Sequence, residues 1–257
     1  MGWVAVVAVA VFVVMGITLT VLRRRGRSDE EHGSVALDFA TNLALAIYLL
    51  VLAYAAVLCR DAINAANTDV AAEAESLTEL YWSVSSIPEA GPVREKIKSY
   101  TEQSITLDWP LMTQDRLSDV ADRSLDELRA GLFQLRPADE THREMRQEAL
   151  ARAAEVSHAR GIRAADASTR LEGIFLISMV ISGIAVIVLP WTRGIRPTVT
   201  SVVSDVVRLA IVVTGIVFIQ LLSHPFSGVG AVEPSALQTA QQQFDRIDDQ
   251  ILTSPGG

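Results

Sequence analysis

The chain has 257 residues, half of them hydrophobic, a positive mean hydropathy and a net charge of -8. It is too apolar for an ordinary soluble domain and too acidic for a nucleic-acid partner. The single cysteine, Cys59, excludes an internal disulfide and reads as a small apolar residue near a helix end. The excess of arginine over lysine, with abundant alanine and valine, suggests a GC-rich bacterial genome.

Four apolar blocks stand out: Trp3 to Leu22, Leu37 to Leu58, Leu171 to Trp191 and Val199 to Leu222. Each is near the roughly 20 residues a helix needs to cross about 30 Å of hydrocarbon, and none alternates as a strand would. We therefore expect an all-α protein with four transmembrane helices, spans two and three extending into an extramembrane helical bundle. The divisions are span one at 1–24, span two at 35–59, the bundle at 60–170, span three at 171–191 and span four at 198–223. A post-membrane motif and tail helix follow at 224–257.

The first block carries Arg23, Arg24, Arg25 and Arg27 after its apolar run and shows no small-residue cleavage site, so it is expected to stay as a helix. Arginines are retained inside, which places the N-terminus outside and the loop after span three, with Arg193 and Arg196, inside. Arg60, Arg160, Arg163 and Arg170 weigh for the opposite orientation.

Span two opens on Asp38 and Asn42 and carries Ala46, Tyr48, Ala53 and Tyr54, which fit either a pore lining or helix packing. Beyond Arg60 the positions Ile63, Ala66, Val70, Ala74, Leu77, Tyr81 and Val84 keep helical spacing, so span two is expected to continue as one long helix to about Ser86. Pro88, Gly91 and Pro92 enforce a turn. A second helix is predicted from Val93 to about Leu107, broken by Trp109-Pro110. A third presents Leu117, Ala121, Leu125, Leu128, Leu132 and Leu135 on one stripe. The last, from Pro137 in its first turn towards Thr169, buries Ala149, Ala153, Val156 and Ala159 and feeds without a breaker into span three. The bundle fits a spacer, or an oligomerisation or vestibule element.

Span three has Ser178, Ser182 and Gly183, small residues that permit close helix approach in lipid. Span four begins with Asp205 and Arg208, three apart on one face, and runs apolar from Leu209 to Ile219 before Ser223 to Gly228 break it off. Asp38, Asn42, Asp205 and Arg208 are candidates for an ion pathway or a polar cluster inside the membrane, with Arg208 attracting anions and Asp38 within reach of it between helices. The plainer reading is that these residues reach interfacial water.

Catalytic signatures are missing. His32, His142, His158 and His224 are scattered, Glu155 and His158 supply one of the two Glu-x-x-His pairs a di-metal bundle needs, and no nucleophile elbow, phosphate loop or dinucleotide fingerprint occurs. We expect no enzyme, no metal and no cofactor.

His224-Pro225-Phe226-Ser227-Gly228 after span four, with Glu233-Pro234 beyond it, completes a wider pattern. It includes paired N-terminal spans, Glu73 and Glu75 ahead of Leu80-Tyr81, then Pro88, Tyr100 and Trp109-Pro110. In this order and spacing the chain resembles the bacterial bestrophin-like membrane proteins, a family named for its similarity to bestrophin anion channels. That resemblance implies four spans per subunit, a helical extramembrane region, a homo-oligomer of five subunits in the bacterial inner membrane, contact with lipid, and anions as the conducted species. It implies no nucleic acid.

Bestrophins follow an Asn-Pro-Phe-Gly core with an acidic, calcium-binding run. Here Gly228 to Val232 replaces the acids and leaves Glu233, too few oxygens for calcium. The resemblance also implies a cytoplasmic bundle, against the arginine loops. The rival reading is a non-conducting membrane sensor or scaffold whose helical region binds a partner.

Overall fold

The computed structural model describes residues 30–169, 173–190, 199–228 and 230–253. Among these residues the secondary structure is helical, with no strand. The predicted first span, 1–24, lies outside the described residues, as do the arginines from Arg23 to Arg27 and the loop from Thr192 to Pro197.

Helix α1 runs unbroken from Glu30 to Ser85. Its sequence holds neither glycine nor proline after Gly33, so nothing interrupts the ladder for 56 residues, about 84 Å at the usual rise. It ends where Ile87 turns extended (φ -93°, ψ 113°) ahead of Pro88, because the residue before a proline is pushed out of helical geometry. A single 3₁₀ turn, Pro88–Ala90, leads into α2, Gly91–Gln103.

The predicted break at Trp109-Pro110 does not occur. From Gln103 the chain passes through a π-helical segment, Ser104–Asp108, and on into α3, Trp109–Met112, keeping helical dihedrals at each junction. The wider i→i+5 turn relieves the clash a proline ring makes with the preceding α turn, and Pro110 falls in the first turn of α3, where an N–H is not required.

Helix α4, Asp119–Gln134, starts at Ser118, whose hydroxyl accepts from Val120 N at 3.1 Å, and buries Ala121, Leu125, Leu128 and Leu132. Helix α5 spans Glu140–Ser168. Its cap is Asp139, accepting from His142 N at 2.8 Å, so Pro137 lies ahead of the helix and not in its first turn. A carboxylate cap satisfies the free amides better than a proline start. Thr169 is extended (φ -71°, ψ 128°) and closes α5; residues 170–172 lie outside the described set, so the unbroken passage into span three is not part of it.

Helices α6, Gly173–Val188, and α7, Val199–Leu222, are apolar, and α8, Ser235–Thr253, is amphipathic. Three helical stretches are long and apolar enough to cross a membrane: Leu37–Ser85, Glu140–Val188 and Val202–Leu222.

The chain divides into two compact units. In the first, α6 and α7 pack with the part of α1 up to Arg60 around Tyr48, Met179, Val186, Val212 and Ile219. Gly183 gives α7 close approach: a Cβ there would stand 2.8 Å from Val212 Cγ1. The second unit takes α1 from Asp61, the helices through Thr169, and the chain from His224. Its core gathers α1, α2, α4 and α5 with the tail helix, which contributes Leu237, Ala240, Phe244 and Ile247. Ile251, expected on the same stripe, is exposed.

Candidate functional site

The most polar part of the interior is in the second unit, where four helical segments bring together two arginines and two carboxylates. Arg163 on α5 is fully buried, as are Glu73 on α1 and Asp108 at the end of the π segment. The Arg163 guanidinium donates side-on to Glu73, from Nε to Oε2 at 2.6 Å and from Nη2 to Oε1 at 3.0 Å, and Nη2 also donates to Asp108 Oδ2 at 3.1 Å. Tyr100 Oη on α2 donates to Glu73 Oε1 at 2.7 Å.

One turn earlier on α5, Arg160 donates to Asp108 as well, and its Nη2 reaches the Ser118 carbonyl at 3.0 Å. Ser118 N returns a hydrogen bond to Asp108 Oδ1 at 2.8 Å, tying the start of α4 to the same carboxylate. Two positive and two negative charges thus balance in a dry interior, with the donors on Arg163 and Arg160 aimed at acceptors. Arg163 also faces the Trp109 ring at 5.7 Å, and Arg160 the Tyr100 ring at 5.8 Å.

The electrostatics follow from burial. Loss of hydration and the Glu73 charge push the Tyr100 hydroxyl well above its ordinary range. Burial works against the Arg163 charge, but Glu73, Tyr100 and Asp108 outweigh it and hold the guanidinium firmly protonated. No member is poised to exchange a proton near neutrality, so the network clamps α1, α2, α4 and α5 to each other and has no evident place in acid-base chemistry.

The post-membrane motif sits against this clamp. Pro225 and Phe226 are buried, and Val232 N donates to the Pro225 carbonyl at 2.8 Å, folding 225–232 into a closed loop. Phe226 meets the Trp109 ring edge-on at 5.8 Å, and Trp109 Nε1 donates to the Val232 carbonyl at 3.2 Å. His224 and Ser227 are half-buried, while Gly228 and Glu233 are exposed. Gly228 has φ 91°, open to glycine and costly for other residues.

The predicted residues of the apolar unit divide differently. Arg208 donates to Asp205 Oδ1 at 3.3 Å on α7, both half-buried, whereas Asp38 and Asn42 are exposed on α1. Of the four residues proposed for pore or packing, Tyr48 is fully buried and donates from Oη to the Val212 carbonyl at 2.7 Å. Ala46, Ala53 and Tyr54 are exposed, and Tyr54 also touches Phe175, with ring centroids 5.4 Å apart. Tyr48 fits only because Gly215 faces it: a Cβ there would lie 2.3 Å from the tyrosine oxygen.

Sequence reasoning named Glu73, Tyr100 and Trp109 only as landmarks, and read Arg160 and Arg163 only as topology charges. The signal was present: apolar positions Val156 and Ala159 run into two arginines on the buried stripe of one helix, where a charge has to find a partner. Asp108 had no such signal, because its inward position depends on the π segment.

A family model for the bestrophin-like domain matches residues 3–237. Searches of curated proteins and of solved structures found no match.

Proposed function

The chain belongs to the bestrophin-like family, and on that premise we propose a multi-pass bacterial inner-membrane protein whose copies assemble around an axis and conduct anions, without a calcium clasp. The observation that carries this reading is how little of the apolar surface one chain covers. In the most apolar windows of the stretches containing α1 and α7, 17% of residues are buried within the chain, so the remainder needs lipid or further copies. On α1 the exposed residues Phe39, Leu43, Ile47, Leu50, Tyr54 and Val57 form one stripe at three- and four-residue spacing, the pattern of a helix face that meets another surface.

Arg208 supplies the attraction for anions in this reading, with Asp205 beside it limiting its net field. The calcium clasp is left out because Glu233 stands alone beyond a loop of small apolar residues. The protein acts as a conduit and not as an enzyme.

The second reading, a non-conducting sensor or scaffold, draws on the closed core and buried charge network of the second unit, features a partner-binding module needs and a pore lining does not. Light scattering on the detergent-solubilised protein, corrected for bound detergent, separates the two. An assembly of about five subunits that gives chloride flux in liposomes, reduced by Arg208→Ala, supports the channel. A monomer or dimer persisting across mild detergents refutes it.

A further inference from the structure

The α1–α5 contact that holds Glu73 against Arg163 continues for one more turn. Asp69 lies four residues before Glu73 on α1, and Asp166 three residues after Arg163 on α5. Both are half-buried, and their side chains are hydrogen-bonded to each other. Asp166 Oδ2 is shut off from solvent and receives no hydrogen bond from an N–H or hydroxyl donor. Two ionised carboxylates are acceptors only, so a hydrogen bond between them requires a proton on one.

We propose that Asp69 and Asp166 form a proton-binding site, a carboxylic acid and carboxylate sharing one proton across the α1–α5 contact. When the pair ionises, the proton leaves to water and two like charges face each other one turn from the Glu73–Arg163 bridge. The helix contact then weakens.

Burial and the neighbouring Asp69 charge push Asp166 up to about 6. Among the described residues Asp69 is the charged group that acts on it. The next charges along the two helices, Glu73 and Arg163, are engaged with each other and with Tyr100, Ser104 and Asp108. The sign follows from the raised value. The folded state holds the proton more tightly than the unfolded chain, so the pair's contribution is complete below the ordinary aspartate range near 3.8 and is lost as pH rises through about 6. As with any coupled pair, the titration belongs to both residues.

Infrared spectroscopy of the full-length protein in detergent, with carboxyl-labelled aspartate, reads the shared proton directly through the C=O stretch of a protonated carboxyl. The expected result is a band that disappears as pH rises through about 6 and is missing at that pH from both Asp166→Asn and Asp69→Asn. The melting temperature of the wild type should fall between about pH 5 and about pH 8 by more than that of either variant. A band that titrates in the ordinary aspartate range, or that survives in the variants, overturns the proposal. So does an equal pH dependence of melting in wild type and variants. Because Asn keeps the shape of Asp and removes the repulsion, folding of at least one variant is expected, and either suffices. Neither readout depends on ion flux.

Discussion

Replacing Arg163 with methionine tests the buried clamp. The guanidinium is fully buried and carries three hydrogen bonds to carboxylates, two to Glu73 and one to Asp108. Without it, Glu73 keeps only the Tyr100 hydroxyl, Asp108 keeps Arg160 and Ser118 N, and the interior changes from charge-balanced to one net negative charge. Removing one partner of a buried ion pair costs about 3–5 kcal/mol, most of it the penalty of the charge left behind. For a chain of this size each kcal/mol moves the melting temperature by about 2–4 °C, so Arg163→Met should melt about 6–20 °C below wild type. Glu73→Gln should cost a comparable amount, since it strands the arginine. The double variant restores neutrality and should fall short of the summed single effects by about 1–3 kcal/mol. Tryptophan fluorescence of the detergent-solubilised protein follows the transition. A single variant within about 1 kcal/mol of wild type, or a double variant equal to the sum, would refute the claim that paired burial is what holds these helices.

Three further outcomes are expected. Tyr48→Phe should cost about 1 kcal/mol through loss of the hydrogen bond to Val212, and Gly215→Ala about 1–3 kcal/mol because its Cβ would overlap the tyrosine oxygen; in the Tyr48→Phe background Gly215→Ala should cost less, as read by helix content during detergent denaturation. Phe226→Ala should cost about 3–5 kcal/mol and shift tryptophan emission, since it opens the edge of Trp109. Burial opposes the Asp248 charge, but hydrogen bonds from Lys98 and Tyr81 prevail and hold this carboxyl below its ordinary value. Its grip on α8 is therefore present above about pH 4 and lost as pH falls below it. Protease cleavage within α8 should accelerate in acid, and Asp248→Asn should show that acceleration already at neutral pH.

The helices were largely legible because their signals are local. Absence of glycine and proline reads directly as the length of α1, and the leucine stripe reads as the buried face of α4. The small residues of α5 likewise sit where they were expected, at Ala149, Ala153 and Val156. Pro137 misled because proline suits a first helical turn in general, while Asp139 offered a better cap two residues on. Pro110 misled because a break is the default for an interior proline, and the π segment that accommodates it has no compositional mark. The ion network was illegible for a different reason: its members are separated by 27 to 90 residues, and their pairing is fixed only when α5 folds back along α1. Tyr48 was visible as a candidate, but choosing packing over pore needed its hydrogen bond to a carbonyl on a helix 164 residues away.

The π segment at Ser104–Asp108 sets a limit on how this sequence can change in length. A π turn amounts to one residue more than the α-helix around it requires. Deleting any one of Ile105, Thr106 or Leu107 would let the ladder close as an ordinary α-helix, and everything beyond it would turn by about 100°. Trp109 would swing away from the Val232 carbonyl, and Met112 from its contact with Arg163 at 3.8 Å. A conservative exchange at these three positions, two of them exposed and one half-buried, should pass almost unnoticed. The stretch is therefore tolerant in spelling and intolerant in count, a signature to look for wherever related chains are laid side by side.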